Sequence, residues 1–168
     1  MVNTFSKDGM SDMEFVSENA FHIEQSQVYE SIKQYGIDSV EFVRMKGHEL
    51  LFVEAKTTFP NPHNPDTANL ARFNKEIGEI REKFIHSLEL YAYILSGVAH
   101  ENLPNDFIPE KQIPLIFMLV IKNYKIEWCT PVQRALTDII PKHIKKLCRP
   151  EVRVINHEEA ITQQLAIS

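Results

Sequence analysis

The apolar run Leu50-Leu51-Phe52-Val53 leads straight into Glu54, Ala55 and Lys56, and a second acid, Glu41, is embedded in the largely apolar stretch before it. Two carboxylates and an ammonium at the ends of such runs cost free energy unless they are paired or put to use. Carboxylate oxygens are the ligands a hard divalent cation prefers, and magnesium accepts water and phosphate oxygens in its remaining positions. A lysine beside them can orient a metal-bound water or neutralise charge that develops on a phosphate. These residue types therefore suit metal-assisted phosphodiester hydrolysis. The alternative is an ion pair at a strand end, with Glu41 as a charge that protects an edge strand from aggregation.

Which groups meet depends on the turn. Glu54 and Lys56 are two apart, so on a strand they share a face. A two-residue loop at Lys46-Gly47 pairs Met45 with His48 and Glu41 with Phe52, which brings Glu41 to that same face. A three-residue loop reverses the parity and brings Asp38 there instead, opposite Lys56. The first is preferred, because Lys-Gly can turn tightly and Glu41 lies within the strand.

The remaining elements follow from periodicity and caps. Ala20 to Glu24 alternates like a short strand, and Ser26 caps a helix that Gly36 stops near Tyr35. Pro60, Pro62 and Pro65 mark a loop. From Asp66 to Gly97, apolar residues at Leu70, Phe73, Ile77, Ile80, Phe84, Leu88, Tyr91, Leu95 and Val98 give a long amphipathic helix. His100 to Gln112 is a second loop, and Ile113 to Asn123 a strand buried on both faces. Thr130, Pro131 and Gln133 carry the signals of a helix start. That helix reaches about Leu147, with a kink at Pro141. A short strand at Val152 to Ile155 follows, and Asn156 caps a terminal helix. The order β-α-β-β-α-β-α-β-α predicts an α/β fold, a central mixed sheet flanked by helices.

The acid Glu41 on one strand, a turn, FVEAK closing the next strand, a long helix and an apolar strand together resemble the PD-(D/E)XK nuclease superfamily, the restriction-endonuclease-like fold. The resemblance spans about Ser26 to Lys122. It implies Mg²⁺ (or Mn²⁺) held by Glu41, Glu54 and the carbonyl of Ala55, with Lys56 beside the attacking water. It implies nucleic acid, DNA foremost, as substrate, and leaves a homodimer open as the assembly. The first acid is Glu rather than Asp, and no Pro-Asp pair occurs. Glu30 is a further acid whose face stays unresolved. Ser87 to Tyr91 is similar to a helical motif of some exonucleases of that superfamily, with serine in place of glutamine; helix core is the preferred reading there.

The bulk properties set outer bounds. A chain of 168 residues with 43% hydrophobic content can build one real core, and the expected division is a leader over residues 1–12 and a single domain over 13–168. The net charge of −5 argues against a generally basic nucleic-acid binder. Lys142, Lys145, Lys146, Arg149 and Arg153 nevertheless form a local basic run, opposed only by Glu151. Cys129, Cys148 and the histidines show no zinc-ligand spacing, and there is no Gly-rich phosphate loop or nucleophile elbow. The N-terminus lacks an apolar signal region, and Ile113 to Ile121 is far short of the roughly 20 residues that span a bilayer. A cytoplasmic protein without a membrane role is expected. The runner-up function is a catalytically silent nuclease-fold protein that binds a protein or nucleic-acid partner.

Overall fold

The computed structural model describes residues 4–6, 13–107 and 113–167. Most of the expected leader lies outside these residues. Thr4–Ser6, however, is strand β1, paired antiparallel with β2 (Glu14–Val16).

Five strands form the central mixed sheet in the order β3 (Ala20–Phe21), β4 (Phe42–Lys46), β5 (Glu49–Lys56), β6 (Leu115–Ile121) and β7 (Glu151–Asn156). The first two pairings are antiparallel; β5 with β6 and β6 with β7 are parallel. Parallel neighbours need crossovers, and helices supply them. Helix α2 (Thr67–Leu95) joins β5 to β6, and α3 (Ile126–Ile139) with α4 (Lys142–Leu147) joins β6 to β7. Helix α1 (Gln27–Ile32) precedes β4, and α5 (His157–Thr162) follows β7. The architecture is α/β, as expected, and compatible with the restriction-endonuclease-like arrangement.

Both sheet faces are covered, which is why β5 and β6 read as unbroken apolar runs. On one face Phe52, Phe117 and Leu119 pack against Ile80 and Phe84 of α2 and Val132 and Leu136 of α3. Phe84 and Phe117 stack at 4.7 Å, the closest ring pair of this layer. Truncating either to Ala should cost about 3–5 kcal/mol. On the other face Phe42, Leu51, Val53 and Met118 meet Phe15, Ala160 and Leu165 from β2, α5 and the chain after it.

Local caps work where expected. The Ser26 hydroxyl accepts the Tyr29 N–H at 3.1 Å, and Gly36 leaves the first helical segment at φ +76°. Asp66 accepts the Ala68 N–H at 3.0 Å, and Asn156 the Glu159 N–H at 2.9 Å. The ends of the α2 stripe differ from expectation. Leu70, Leu95 and Val98 are exposed, whereas Leu90 and Ile94 are buried. The 29 residues of α2 extend about 44 Å against about 26 Å for the eight of β5, so the helix overhangs the sheet.

Two boundaries are corrected. Helix α3 begins at Ile126, ahead of the expected Thr130-Pro131 start, and Pro131 lies inside it. Packing outweighs the cap signal here: Trp128 meets the Tyr124 ring at 5.2 Å, and Cys129 and Val132 are buried, all of which needs helix before Pro131. At Pro141 the chain breaks rather than kinks. Ile140 is extended (ψ 130°), as the residue before a proline prefers.

Candidate active site

Gly47 and His48 form the β4–β5 loop, so that Lys46 pairs with Glu49, Met45 with Leu50 and Phe42 with Val53. The expected loop at Lys46-Gly47 falls one residue early. Gly47 at φ +59° takes the first loop position, a left-handed conformation that glycine adopts at little cost, and Lys46 remains in the strand.

A second departure matters more. The Glu41 N–H donates to the Val53 carbonyl at 3.1 Å, although Phe42 is the residue paired with Val53. Two residues thus oppose one, which is a β-bulge. The core records the extra residue: Val40 and Val43, three apart, both belong to the α2 layer, while Phe42 belongs to the α5 layer. The expected pairing of Glu41 with Phe52 is not made, and Glu41 is aligned with Val53 instead. Upstream of the bulge the parity is reversed, the outcome otherwise tied to a three-residue loop.

Asp38 follows from that reversal. The segment is fastened to α2, where His86 Nδ1 lies 3.2 Å from the Asp38 carbonyl and the Val40 N–H donates to Ser87 Oγ at 2.8 Å. Ser87 is fully buried, so its expected place in the helix core holds. Asp38 consequently lines a pocket of about 320 Å³ with Glu24, Glu30, Tyr29 and Lys83. The Tyr29 phenol is pushed above its usual value, first by burial and then by Asp38 and Glu24, while Lys83 pulls it down. One neighbourhood therefore holds these charges. Glu30 faces this pocket and pairs with Lys33 at 2.6 Å on the exposed side.

Glu54 is 1% exposed, and its Oε1 lies 2.6 Å from Lys83 Nζ. Two residues on, Lys56 Nζ lies 3.0 Å from Glu76 Oε2. Glu76 and Lys83 are seven apart on α2, two turns, and so share the helix face that lies on β5. The end of β5 is held in place: the Lys122 N–H donates to the Lys56 carbonyl at 2.8 Å, and Tyr124 Oη donates to the Pro60 carbonyl at 2.9 Å. Ala55, between the two charged residues, points its methyl into the opposite core layer.

The structure thus brings Glu54, Lys56 and Asp38 to the α2 side of the sheet and aligns Glu41 elsewhere. Sequence reasoning missed Lys83 and Glu76. Their spacing was the available signal, since both fall in the same stripe as Ile80 and Ser87. Among the described residues, no group of three or more His, Cys, Asp or Glu side chains is arranged to hold a metal ion. The donors beside Lys83 are carboxylate oxygens, the chemistry a hard divalent cation prefers, but such an ion must displace the Lys83 ammonium from Glu54.

The basic run lies apart from this site. It leads into the start of β7, at the opposite end of the parallel strands from Lys56, since Glu151 pairs with Ile116 and Lys56 with Ile121. Arg153 is committed to Glu49 and Glu151, with nitrogen–oxygen distances of 2.7–3.1 Å. No helix among the described residues is long and apolar enough to cross a membrane. Compared with protein-family models, curated proteins and solved structures, the chain gives no match.

Proposed function

We propose that this chain is a Mg²⁺-dependent nuclease that hydrolyses phosphodiester bonds, with DNA as the expected substrate. The observation that carries the proposal is the set of charges at the carboxyl end of an interior strand: Glu54 and Lys56 on one face, with Asp38 turned toward the same side by the bulge. Glu54, Asp38 in place of Glu41, and the Ala55 carbonyl would hold Mg²⁺ (or Mn²⁺). A divalent ion there supplies a nucleophilic water and neutralises phosphate charge. Lys56, 25% exposed at the strand end, can reach a phosphate by leaving Glu76. Lys83 neutralises Glu54 whenever no other cation does so.

One observation favours a second reading. Glu54 and Lys56 each already have a partner on α2, the pattern of ion pairs that fasten a helix to a strand. A catalytically silent scaffold that binds a protein or nucleic-acid partner has the same requirement.

Calorimetric titration with Mn²⁺ and Mg²⁺, together with a cleavage assay on supercoiled and single-stranded DNA, separates the two. The nuclease reading expects saturable metal binding that Glu54→Gln removes. It also expects cleavage that Lys56→Ala slows about 10²-fold or more while metal binding is retained. Absence of specific metal binding to the parent protein overturns it and leaves the scaffold.

A further inference from the structure

On the sheet face opposite Glu54 lies a buried cation, Arg44, that forms no ion pair among the described residues. Arg44, on β4, pairs with Leu51 on one side and Ala20 on the other, and is 8% exposed. Its Nη1 donates to the Gln164 carbonyl at 3.0 Å, just past α5, where the backbone of Gln164 stands at φ +57°. Lys46 donates to the preceding carbonyl, that of Gln163. Only the first of these bonds engages the guanidinium, through Nη1. Arg44 Nε is buried with no hydrogen-bond acceptor, and among the described residues no carboxylate lies within ion-pair distance of Arg44.

An unpaired buried donor on a charged group is expensive, and burial works against the charge of Arg44, with only Glu18 acting to support it. Arg44 lines a pocket of about 520 Å³, whose other walls include Val16, Ile161, Ala166 and Ile167, with Glu18 also in the lining. That volume falls in the range of small-molecule sites, which pair an apolar lining with a few placed polar groups.

We infer that this pocket binds a small aliphatic carboxylate, its head on the guanidinium of Arg44 and its apolar body against Ile161, Ala166 and Ile167. A carboxylate fits better than a phosphate. One guanidinium balances one negative charge, and Glu18 in the lining disfavours a dianion. Two sources share this chemistry, a free short-chain acid and the carboxyl terminus of an apolar peptide.

The test uses the whole protein, with calorimetric titration of sodium hexanoate, N-acetyl-leucine and the neutral hexanamide, and an ¹H–¹⁵N spectrum of the arginine Nε–H groups. Hexanoate should bind saturably and shift the Arg44 Nε–H resonance, and hexanamide should bind at least about tenfold more weakly, since it lacks the charge. Tighter binding of N-acetyl-leucine than of hexanoate assigns the site to a peptide terminus, and the reverse to a free acid. Arg44→Met should abolish binding. Should that variant not fold, Ile161→Trp, which fills the pocket from a partly exposed position, should block hexanoate and leave Arg44 in place. No saturable binding of either acid, equal affinity for hexanamide, or an unmoved Arg44 resonance at saturation overturns the assignment.

Discussion

Glu54 Oε1 and Lys83 Nζ stand 2.6 Å apart, with the carboxylate 1% exposed, so β5 and α2 are joined through a buried ion pair. Removing one member of such a pair leaves the other charge desolvated and alone, at a cost of about 3–5 kcal/mol. Lys83→Met should therefore lower unfolding free energy by about 3 kcal/mol in metal-free buffer. If Glu54 is also a metal ligand, the same variant frees it, and added Mg²⁺ should raise the melting temperature more in Lys83→Met than in the parent. Denaturant unfolding with and without EDTA measures both effects. An equal Mg²⁺ response in the two proteins argues for the scaffold.

Sequence reading succeeded where structure is decided locally. Ser26, Asp66 and Asn156 each cap a helix through a bond to an N–H two or three residues on, and such bonds need no distant partner. It failed where distant packing chose among local options. Thr130-Pro131 imitates a helix start, but burial of Cys129 and the contact of Trp128 with Tyr124 extend α3 past it. The bulge at Glu41 follows from strand register, and its one trace in the sequence is that Val40 and Val43 sit three apart. Lys83 and Glu76 were legible in principle, as charges at seven-residue spacing within an apolar stripe. Their partners on β5 are set by how the helix lies on the sheet, which periodicity does not give.

Stability should fall at alkaline pH. Burial raises Cys129 from 9 to about 11 and Tyr91 from 10 to about 12, and pushes Tyr124 up as well. The folded state thus keeps protons that the unfolded chain gives up first. Their contribution is whole below the unfolded value of each group and is lost as pH rises toward the folded one, at about 1.4 kcal/mol per pH unit per group. Tyr91→Phe should cost about 1 kcal/mol at neutral pH, since Tyr91 Oη donates to the Phe107 carbonyl at 3.0 Å. The same change should flatten the decline above pH 10, where Tyr91 begins to lose its proton in the unfolded chain. Urea melts from pH 8 to 11 give the slope; parallel slopes in the two proteins refute the assignment.

The basic run should contribute less than its composition suggests. Arg153 is committed to Glu49 and Glu151, and Lys145 donates to the Asp138 carbonyl at 3.2 Å, which leaves Lys142, Lys146 and Arg149 the more exposed cations. If α4 meets DNA, neutralising Lys142 and Lys146 should reduce the log–log salt slope by about 0.9 per lost phosphate contact, alike for all sequences. An unchanged slope marks a solvated surface at the far end of the sheet from Glu54.

The bulge makes Asp38 and Glu41 distinguishable. Under the nuclease proposal Asp38, in the pocket with Lys83, supplies the second carboxylate, whereas Glu41, opposite Val53, does not. Asp38→Asn keeps the side-chain volume and removes the charge, so Mn²⁺ affinity and DNA cleavage should fall together. Its effect on folding should be small, because Asp38 is exposed and its carbonyl, not its carboxylate, is the group near His86. Glu41→Gln should do the opposite. Glu41 is 5% exposed and has partners of its own, so the change should cost stability, on the order of 1–3 kcal/mol, and leave Mn²⁺ affinity within about twofold, equivalent to less than 0.5 kcal/mol. Titration of the two variants beside the parent decides the matter. Loss of Mn²⁺ binding in Glu41→Gln, with Asp38→Asn unaffected, would return the first acid to Glu41 and require that the strand straighten when metal binds.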